Sequence, residues 1–343
     1  MRNLVLADTL VTQEWEFAKG LKQATGETWT IMSWDNAGLN KNSLSKIKRI
    51  LGYFAHAFEA FKLRKKFDCI VSWQQFYGII YALICCFFHV EKTSMMIVMT
   101  FIYKEKKGVV GKIYKMLVNI AVNSRYIDKL IVFSNKEVEY YNKIFKTAIA
   151  KFEYFPLGIS SDIVQGETPL DIKTPFLLSV GRSNRDYEFL FECIDKMPYK
   201  FVVITDSIMN KTKKPANVTL FNNVRGDEYL RILKKSSGVL IPLKDPNISS
   251  GQLVMLQAMQ YKKPIVITES NAICDYVTNS YNAIICKKDK DDFIRGIEKI
   301  VNDVKFRDQL VKNGYDKFQN EFSLNALGRN IGRYIKELAF TFE

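Results

Sequence analysis

The stretch that decides the fold runs from Gly238 to Thr268 and reads GVLIPLKDPNISSGQLVMLQAMQYKKPIVIT. Its two apolar parts, Val239 to Pro242 and Ile265 to Ile267, have the length and composition of buried parallel strands. Between them, Gln252 to Tyr261 carries side chains at helical spacing, and Pro264 ends that helix. The pattern predicts a strand, a polar loop, a helix and a second strand, which is the repeating unit of an open α/β sheet.

The polar loop of this unit lies where ligands bind in open α/β sheets, after a strand and before a helix. Ser249, Ser250 and the backbone amides from Gly251 onward would form an anion-binding helix end, without a lysine of the Walker type. The same pattern also fits an ordinary crossover connection with a polar loop. Spacing alone leaves both interpretations open.

The composition of the 343 residues is typical of a soluble globular chain, with 48% hydrophobic and 25% charged residues. No run reaches the roughly 18 uncharged apolar residues that span a bilayer. The apolar segment at the N-terminus ends at Asp8, which makes it too short for the hydrophobic region of a secretory signal peptide. We therefore expect it to be a first strand. The six cysteines are scattered and form no CxxC pair, which favours reduced thiols in a cytosolic protein over disulfides or zinc.

The net charge of +14 is concentrated in the N-terminal part. Residues 1–160 contain 23 Lys and Arg against 13 Asp and Glu, whereas the remainder contains 27 against 23. This excess makes an anionic membrane surface the expected partner, and a solvated surface without a partner is the alternative. Nucleic acid is not expected, because no nucleic-acid motif accompanies the charge.

Two basic amphipathic helices are predicted in that part, at Lys41–Lys66 and Lys112–Asn123. The first has an apolar stripe that we expect to pack into the core, with a basic rim facing a membrane. This stripe consists of Ile47, Ile50, Leu51, Phe54, Phe58 and Phe61. His56, beside the stripe, and His89 are expected to be packing residues.

Strands alternate with helices in both halves, and the alternation is interrupted between Phe152 and Pro175, where prolines and glycines replace periodicity. We therefore predict an α/β protein with two doubly wound, Rossmann-like domains that face one cleft. Candidate ligand contacts follow the N-terminal strands, where the loops of such a sheet bind their ligands. These candidates are Asp8, Gln74, Gln75 and Tyr103.

Five segments occur in order from Phe155 onward, and two of them overlap the stretch quoted above. They read FPLGI at 155–159, LLSVGRSNRDY at 177–187, NVRGDEYLRILKKSSGVLIPL at 223–243, SGQLVMLQAMQYKKPIVIT at 250–268 and ICDYVTNSYNAIIC at 273–286. In this order they resemble the motifs of the GT-B glycosyltransferases, especially the family-4-type glycosyl transferases (group 1). The resemblance implies an acceptor-binding domain over 1–155, a nucleotide-sugar-binding domain over 156–325, and a C-terminal helix over 326–343 that packs back toward the N-terminal domain.

The activity that the resemblance implies is that of a hexosyltransferase. Such an enzyme would move a sugar from a nucleotide diphospho-sugar, with UDP favoured, to a lipid-linked or surface-polysaccharide acceptor. Retention is favoured, and neither a cofactor nor a metal is expected. The basic N-terminal part favours a peripheral position at the cytoplasmic face of the membrane.

The resemblance also assigns the nucleotide-sugar site. Two glutamates eight residues apart are usual in the family, for the donor sugar and the ribose, and Ser249 and Gln257 stand at those positions. Gln257 can still hydrogen-bond a ribose, whereas Ser249 is short, so sugar recognition would rest on Ser250, Gln252 and the backbone. Gly181, Gly251 and Leu253 complete the expected site.

The chemistry of transfer requires cations at the leaving diphosphate. Arg182 and Arg185 are the candidate catalytic residues, together with the helix end at Gly251, and a surface pair near Asp186 is the alternative. Asp289, Asp291 and Asp292 open a helix and complement its dipole instead of forming a metal signature.

Two other functions remain open. A GT-B-like protein could bind a sugar nucleotide without transferring the sugar, which the two replaced glutamates favour. An epimerase of the same architecture would need more carboxylates and histidines in the cleft than this chain offers.

Overall fold

The structure, a computed structural model, describes residues 1–35, 43–147, 150–206, 213–248 and 250–340. Its internal contacts divide the chain into two units. The first consists of Met1–Pro156 together with Asn325–Glu343, and the second of Leu157–Leu324. Each unit contains one sheet of six parallel strands.

The sheet of the first unit has the strand order β2-β1-β3-β4-β5-β6. Its strands are β1 (Asn3–Ala7), β2 (Thr30–Ser33), β3 (Cys69–Ser72), β4 (Met95–Val98), β5 (Lys129–Val132) and β6 (Phe152–Tyr154). The helices between them are α1 (Glu16–Thr25), α2 (Ser43–Leu63), α3 (Gln75–Phe88), α4 (Gly108–Asn123) and α5 (Asn135–Phe145). The strand order reverses between β1 and β3, which places the loops containing Asp8 and Gln74 side by side.

The sheet of the second unit has the strand order β12-β11-β10-β7-β8-β9. Its strands are β7 (Leu177–Val180), β8 (Phe201–Ile204), β9 (Val218–Phe221), β10 (Gly238–Ile241), β11 (Ile265–Thr268) and β12 (Ile284–Cys286). Its helices are α6 (Tyr187–Ile194), α7 (Gly226–Lys235), α8 (Gln252–Gln260), α9 (Lys290–Asn302) and α10 (Val304–Lys317). Here the order reverses between β7 and β10, so the ligand site of this sheet is expected after those two strands.

Strand β10 shows why these apolar runs form a doubly wound sheet. Successive side chains of a strand point to opposite faces, and both faces of β10 are covered. Val239 and Ile241 pack with helix α8, whereas Leu240 packs with Phe293 and Ile297 of α9. The predicted strand–loop–helix–strand unit is therefore confirmed, and so is the predicted class of two doubly wound α/β sheets.

The last helix, α11 (Leu324–Phe340), returns to the first unit and packs against α1. Two glycines make this approach possible. A Cβ on Gly20 would collide with the carbonyl oxygen of Asn325, and a Cβ on Gly328 would collide with that of Phe17. The Tyr334 hydroxyl of α11 also donates a hydrogen bond of 2.9 Å to the carboxylate of Glu153 in β6.

The prediction that the apolar stripe of α2 packs into the core is wrong. Ile47, Ile50, Leu51, Phe54 and Phe58 are exposed, and Phe61 is partly buried. The inward face of the helix holds small residues together with His56: Ala57 and Ala60 are fully buried, and Gly52 lies against the Trp34 ring. This face packs mainly against α3, and the large side chains of the other face remain exposed.

The histidine and cysteine predictions have clear outcomes. His56 is buried, its Nε2 lies 3.1 Å from the Met32 carbonyl oxygen and its ring packs on Tyr77, so it is a packing residue as predicted. Burial lowers the pKa of His56. His89 is exposed and occupies the left-handed position that ends α3, so the prediction that it is a packing residue is wrong. All six cysteines are unpaired.

Candidate functional site

A cavity of about 520 Å³ lies in the second unit where the strand order reverses. Its size is within the range of small-molecule sites. It contains seven of the predicted site residues: Gly181, Arg182, Arg185, Ser250, Gly251, Leu253 and Gln257. Gln252 begins helix α8 but does not line this cavity, and Ser249 lies outside the described residues.

The loop after β7 fixes Arg185 at the edge of this cavity. Its Nε donates to the Val180 carbonyl at 3.1 Å, and its Nη1 donates to the Ser183 carbonyl at 3.1 Å. Gly181 has φ 142°, and a Cβ there would lie 2.7 Å from Nε of Arg185, so a larger residue would displace the guanidinium. Burial lowers the pKa of Arg185, but a guanidinium stays protonated in proteins. The loop therefore holds a fixed positive charge.

Arg182 and Arg225 share one acidic partner in the same cavity. Asp206, after β8, lies 3.2 Å from Nη1 of Arg182 and 2.8 Å from Nη2 of Arg225. The Asn223 amide donates to the other carboxylate oxygen at 2.8 Å and is the main reason that the pKa of Asp206 is lowered, with Arg225 next. Exposed ion pairs contribute little to stability, so a bound diphosphate can compete for both arginines at small cost.

Asn184 connects the two loops that form the cavity. It has a left-handed backbone, with φ 55°. Its Nδ2 donates to the Asp245 carbonyl and to Ser250 Oγ, both at 2.9 Å, and its Oδ1 accepts from the Asp245 amide at 2.8 Å. The side chain thus ties the loop before α8 to the loop after β7. Asparagine is among the residues that tolerate this backbone region best.

The N-terminus of α8 opens into this cavity through Gly251. This residue has φ 94° and is the N-cap of the helix, and as a glycine it places no side chain of its own over the helix end. The helix dipole and the backbone amides of a first turn make such an end a favourable position for an anion. Together with the three arginines, they place positive charge around the cavity.

Gln257 lies on the cavity wall and accepts a hydrogen bond from Tyr229. The Tyr229 hydroxyl donates to Oε1 of Gln257 at 3.1 Å, and burial raises the pKa of that tyrosine. An amide has one oxygen acceptor and one NH₂ donor group. Since the oxygen has a protein partner, the NH₂ group is the part of Gln257 best suited to hydrogen-bond a ligand.

Four of these residues were missed by sequence reasoning: Asn184, Asp206, Arg225 and Tyr229. Arg225 and Tyr229 stand within one of the quoted motifs, so the resemblance could have pointed to them. That Arg225 lies near Arg182 is visible only in the structure, where both contact Asp206 after β8. Asn184 lies between the two predicted arginines. Its role depends on contacts with residues more than sixty positions away, which spacing cannot show.

In the first unit, Asp8 and Gln74 lie after the two strands where the order reverses. Burial raises the pKa of Asp8, against smaller lowering effects of hydrogen bonds from its own backbone and the Gln74 side chain. Trp73 packs edge-on against Trp15, with ring centroids 4.9 Å apart. The structure thus brings Asp8 and Gln74 together, and Trp73 of the Trp15–Trp73 pair directly precedes Gln74 in the chain.

The other two candidates of the first unit have structural contacts. Gln75 Oε1 accepts from the Ile102 amide at 2.9 Å. Tyr103 is buried, its ring stacks on Tyr114, and its amide donates to the Tyr141 hydroxyl at 3.1 Å. Both residues order the loop between β4 and α4.

Comparison with known proteins agrees with this arrangement. Residues 167–317 match the family model of the glycosyl transferases group 1. An uncharacterized glycosyltransferase of Methanocaldococcus jannaschii is 22% identical over 194 residues, which are 53% of this chain and 52% of that protein. The chain thus spans about half the length of this relative.

Solved structures are similar over nearly the whole chain. Sucrose-phosphate synthase from Thermosynechococcus elongatus has a TM-score of 0.64 at 15% identity and covers 99% of this chain and 100% of its own. The Anabaena protein HepE in complex with UDP has a TM-score of 0.64 at 10% identity, and the match covers 98% of this chain and 100% of HepE. At these identities the likeness shows the fold, which is GT-B.

The class defined by fold and sequence is therefore a GT-B protein whose C-terminal half carries the segment typical of group 1 glycosyltransferases. The resemblance that the five motifs predicted is confirmed. That Ser249 and Gln257 stand in place of the glutamate pair stays a prediction.

Proposed function

We propose that this chain is a hexosyltransferase that moves a sugar from a nucleotide diphospho-sugar, with UDP favoured, to a lipid-linked or surface-polysaccharide acceptor. The observation that carries the proposal is the convergence of Arg182, Arg185 and Arg225 with the α8 N-terminus on one cavity. A leaving diphosphate gains negative charge as the bond between its oxygen and the anomeric carbon of the sugar breaks. Fixed cations and amides placed around it stabilise that charge without reorganisation.

The remaining groups of the cavity suit the rest of the donor. Gln257, oriented by Tyr229, offers its NH₂ group to a ribose hydroxyl, and Ser250, held by Asn184, lies at the helix end where the sugar would follow the diphosphate. The arginines supply the charge that a divalent cation would otherwise supply, so the proposal includes no metal. UDP is favoured because HepE has been solved with UDP and with UDP-glucose.

The first unit is proposed to bind the acceptor. Asp8, whose pKa burial raises, and Gln74 offer hydrogen-bonding groups for acceptor hydroxyls, beside the Trp15–Trp73 pair that suits a sugar face. The positive charge of this part of the chain favours a peripheral position at the cytoplasmic face of an anionic membrane. Retention of the anomeric configuration belongs to the proposal by resemblance alone.

A screen of nucleotide-sugars for protection against thermal unfolding tests the donor, and each stabilising compound is then assayed for hydrolysis and for transfer to lipid-linked acceptors. We expect one nucleotide diphospho-sugar to raise the Tm and to be consumed. Stabilisation without hydrolysis or transfer would instead support the sugar-nucleotide-binding protein, which the amide at Gln257 favours. No stabilisation by any nucleotide-sugar would contradict the proposed function.

A further inference from the structure

The outward face of α2 carries large apolar side chains in a regular stripe. Five residues follow one another at intervals of three and four positions, and their exposed fractions lie between 42% and 77%: Leu44, Ile47, Leu51, Phe54 and Phe58. The inward face of the helix holds the small residues Ala57 and Ala60 together with His56 and the partly buried Tyr53 and Phe61. The helix therefore presents its bulky apolar surface to solvent, the reverse of the arrangement on an ordinary surface helix.

Helix α4 repeats this arrangement. Val109, Ile113, Met116 and Ile120 form an exposed stripe, while Gly111 and Ala121 face inward.

The end of α3 connects the two stripes, because α3 contacts both α2 and α4. Phe87 and Phe88 are exposed there, and Phe88 stacks on Phe61 of α2 with ring centroids 5.7 Å apart. The two stripes and these phenylalanines are called the apolar face below. An apolar patch of this extent is uncommon on the surface of a monomer.

Positive charge surrounds the apolar face. Residues 43–66 contain seven Lys and Arg and one Glu, and residues 101–123 contain five Lys and one Glu. The cations lie beside the aromatic rings: Nζ of Lys62 is 5.0 Å from the Phe58 ring centroid, and Cζ of Arg64 is 4.2 Å from that of Phe61. Helices with an aromatic and aliphatic face and a basic border are those that lie in a membrane interface.

We propose that the apolar face docks on an anionic lipid bilayer, with α2 and α4 inserting their stripes below the head groups while the flanking lysines contact lipid phosphates. This inference rests on the proposed function, which needs access to a lipid-linked acceptor, and it names the surface and the mode of binding. Among the described residues, no helix is long and apolar enough to cross a membrane, so the helices lie on the bilayer and do not span it.

A second copy of this chain fits the apolar face less well. Pairing two such faces would bring together two sets of basic residues with almost no acidic partners, and like charges in contact oppose association. An anionic bilayer offers both an apolar interior and negative head groups. The charge complementarity therefore favours lipid over self-association.

Insertion and electrostatic attraction respond differently to salt and to mutation. Screening at high salt weakens the contribution of the lysines but leaves the transfer of Leu and Phe side chains out of water unchanged. Leu51→Ala/Phe54→Ala removes apolar area without changing charge, and alanine is the best helix former. Val304→Ala is the matched control, because Val304 is a helical apolar residue with a similar exposed fraction, 53% against 63% and 54%.

The experiment is flotation of the full chain with phosphatidylcholine–phosphatidylglycerol vesicles and with pure phosphatidylcholine vesicles, at low and high salt. We expect the wild type and Val304→Ala to bind the anionic vesicles and to lose part of that binding in high salt. Leu51→Ala/Phe54→Ala should bind at least about tenfold more weakly at both salt concentrations, because two large apolar side chains are then no longer transferred out of water on docking.

Unchanged vesicle binding by the double variant would overturn the proposal. So would sedimentation as a dimer that the double variant dissociates, since a second copy would then cover the apolar face. Thermal stabilisation by nucleotide-sugars, measured without lipid, tests the donor site separately from the membrane surface. If a nucleotide-sugar stabilises the chain while vesicle binding is absent, only the docking inference fails. If vesicle binding follows the expected pattern while no nucleotide-sugar stabilises the chain, the proposed function fails and the docking surface stands.

Discussion

At the residue scale, Arg185 has the two properties that a diphosphate contact needs: a fixed position and a charge that burial does not remove. Two backbone carbonyls orient its guanidinium at the cavity. Arg185→Ala should therefore weaken UDP binding by about 2–3 kcal/mol, the range of a charge-assisted hydrogen bond. Calorimetry checks this. Arg295→Ala, which removes an exposed arginine paired with Asp292 on α9, should bind UDP like the wild type. Equal affinities of Arg185→Ala and wild type would remove Arg185 from the site.

How much of the site could be predicted depends on where each residue stands in the chain. Arg182 and Arg185 follow a strand in a segment that resembles a motif of a known family, so the sequence predicted them as site residues. Asp206 lies after β8 and Arg225 lies after β9. Only the parallel pairing of β7 with β8 and of β8 with β9 brings their loops together with that of Arg182. A contact that the tertiary structure creates leaves no periodic signal in either segment.

At the scale of elements, the loop before α8 depends on one side chain of another loop. Asn184→Gly keeps the left-handed backbone but removes three hydrogen bonds to Asp245 and Ser250. It should lower the free energy of unfolding by about 1–2 kcal/mol. Asn184→Ala should cost about 1 kcal/mol more, because a Cβ is strained at φ 55°. Urea unfolding of both variants measures these differences. If Asn184→Gly were as stable as the wild type, the side chain would not hold the loop.

Helix α2 shows what periodicity does not determine. The stripe of large apolar residues was visible in the sequence. Periodicity could not tell which side of the helix packs against α3, because the other side also carries apolar residues such as Ala57 and Ala60. Ala57→Leu should destabilise the first unit by about 1–3 kcal/mol, since Ala57 is fully buried. Leu51→Ala should change the free energy of unfolding by less than about 0.5 kcal/mol. Chemical denaturation distinguishes them, and the opposite ranking would mean that the stripe packs inside.

At the scale of the whole molecule, the first unit is assembled from two segments that are far apart in the chain. The alternation of strands and helices predicted both sheets, because buried parallel strands are short, apolar and bounded by turns. The close approach of α1 and α11 left no periodic signal, although the resemblance implied that a C-terminal helix packs back toward the N-terminal domain. It depends on glycines whose neighbours, three hundred residues away, only the structure identifies.

These glycines make the joining of the two segments testable. Gly328→Ala should destabilise the first unit by about 3 kcal/mol, because the new Cβ meets the Phe17 carbonyl and the backbone of Gly20, which cannot yield as a flexible side chain can. Gly314→Ala in α10 is the matched control. Its Cβ would meet nothing nearer than Met259 at 3.4 Å and it lies in the second unit, so Gly314→Ala should leave the unfolding of the first unit as in the wild type. Urea unfolding followed by tryptophan fluorescence reads the first unit, since all four tryptophans lie there. Unfolding of Gly328→Ala at the urea concentration of the wild type would show that α11 does not need this contact to hold the first unit together.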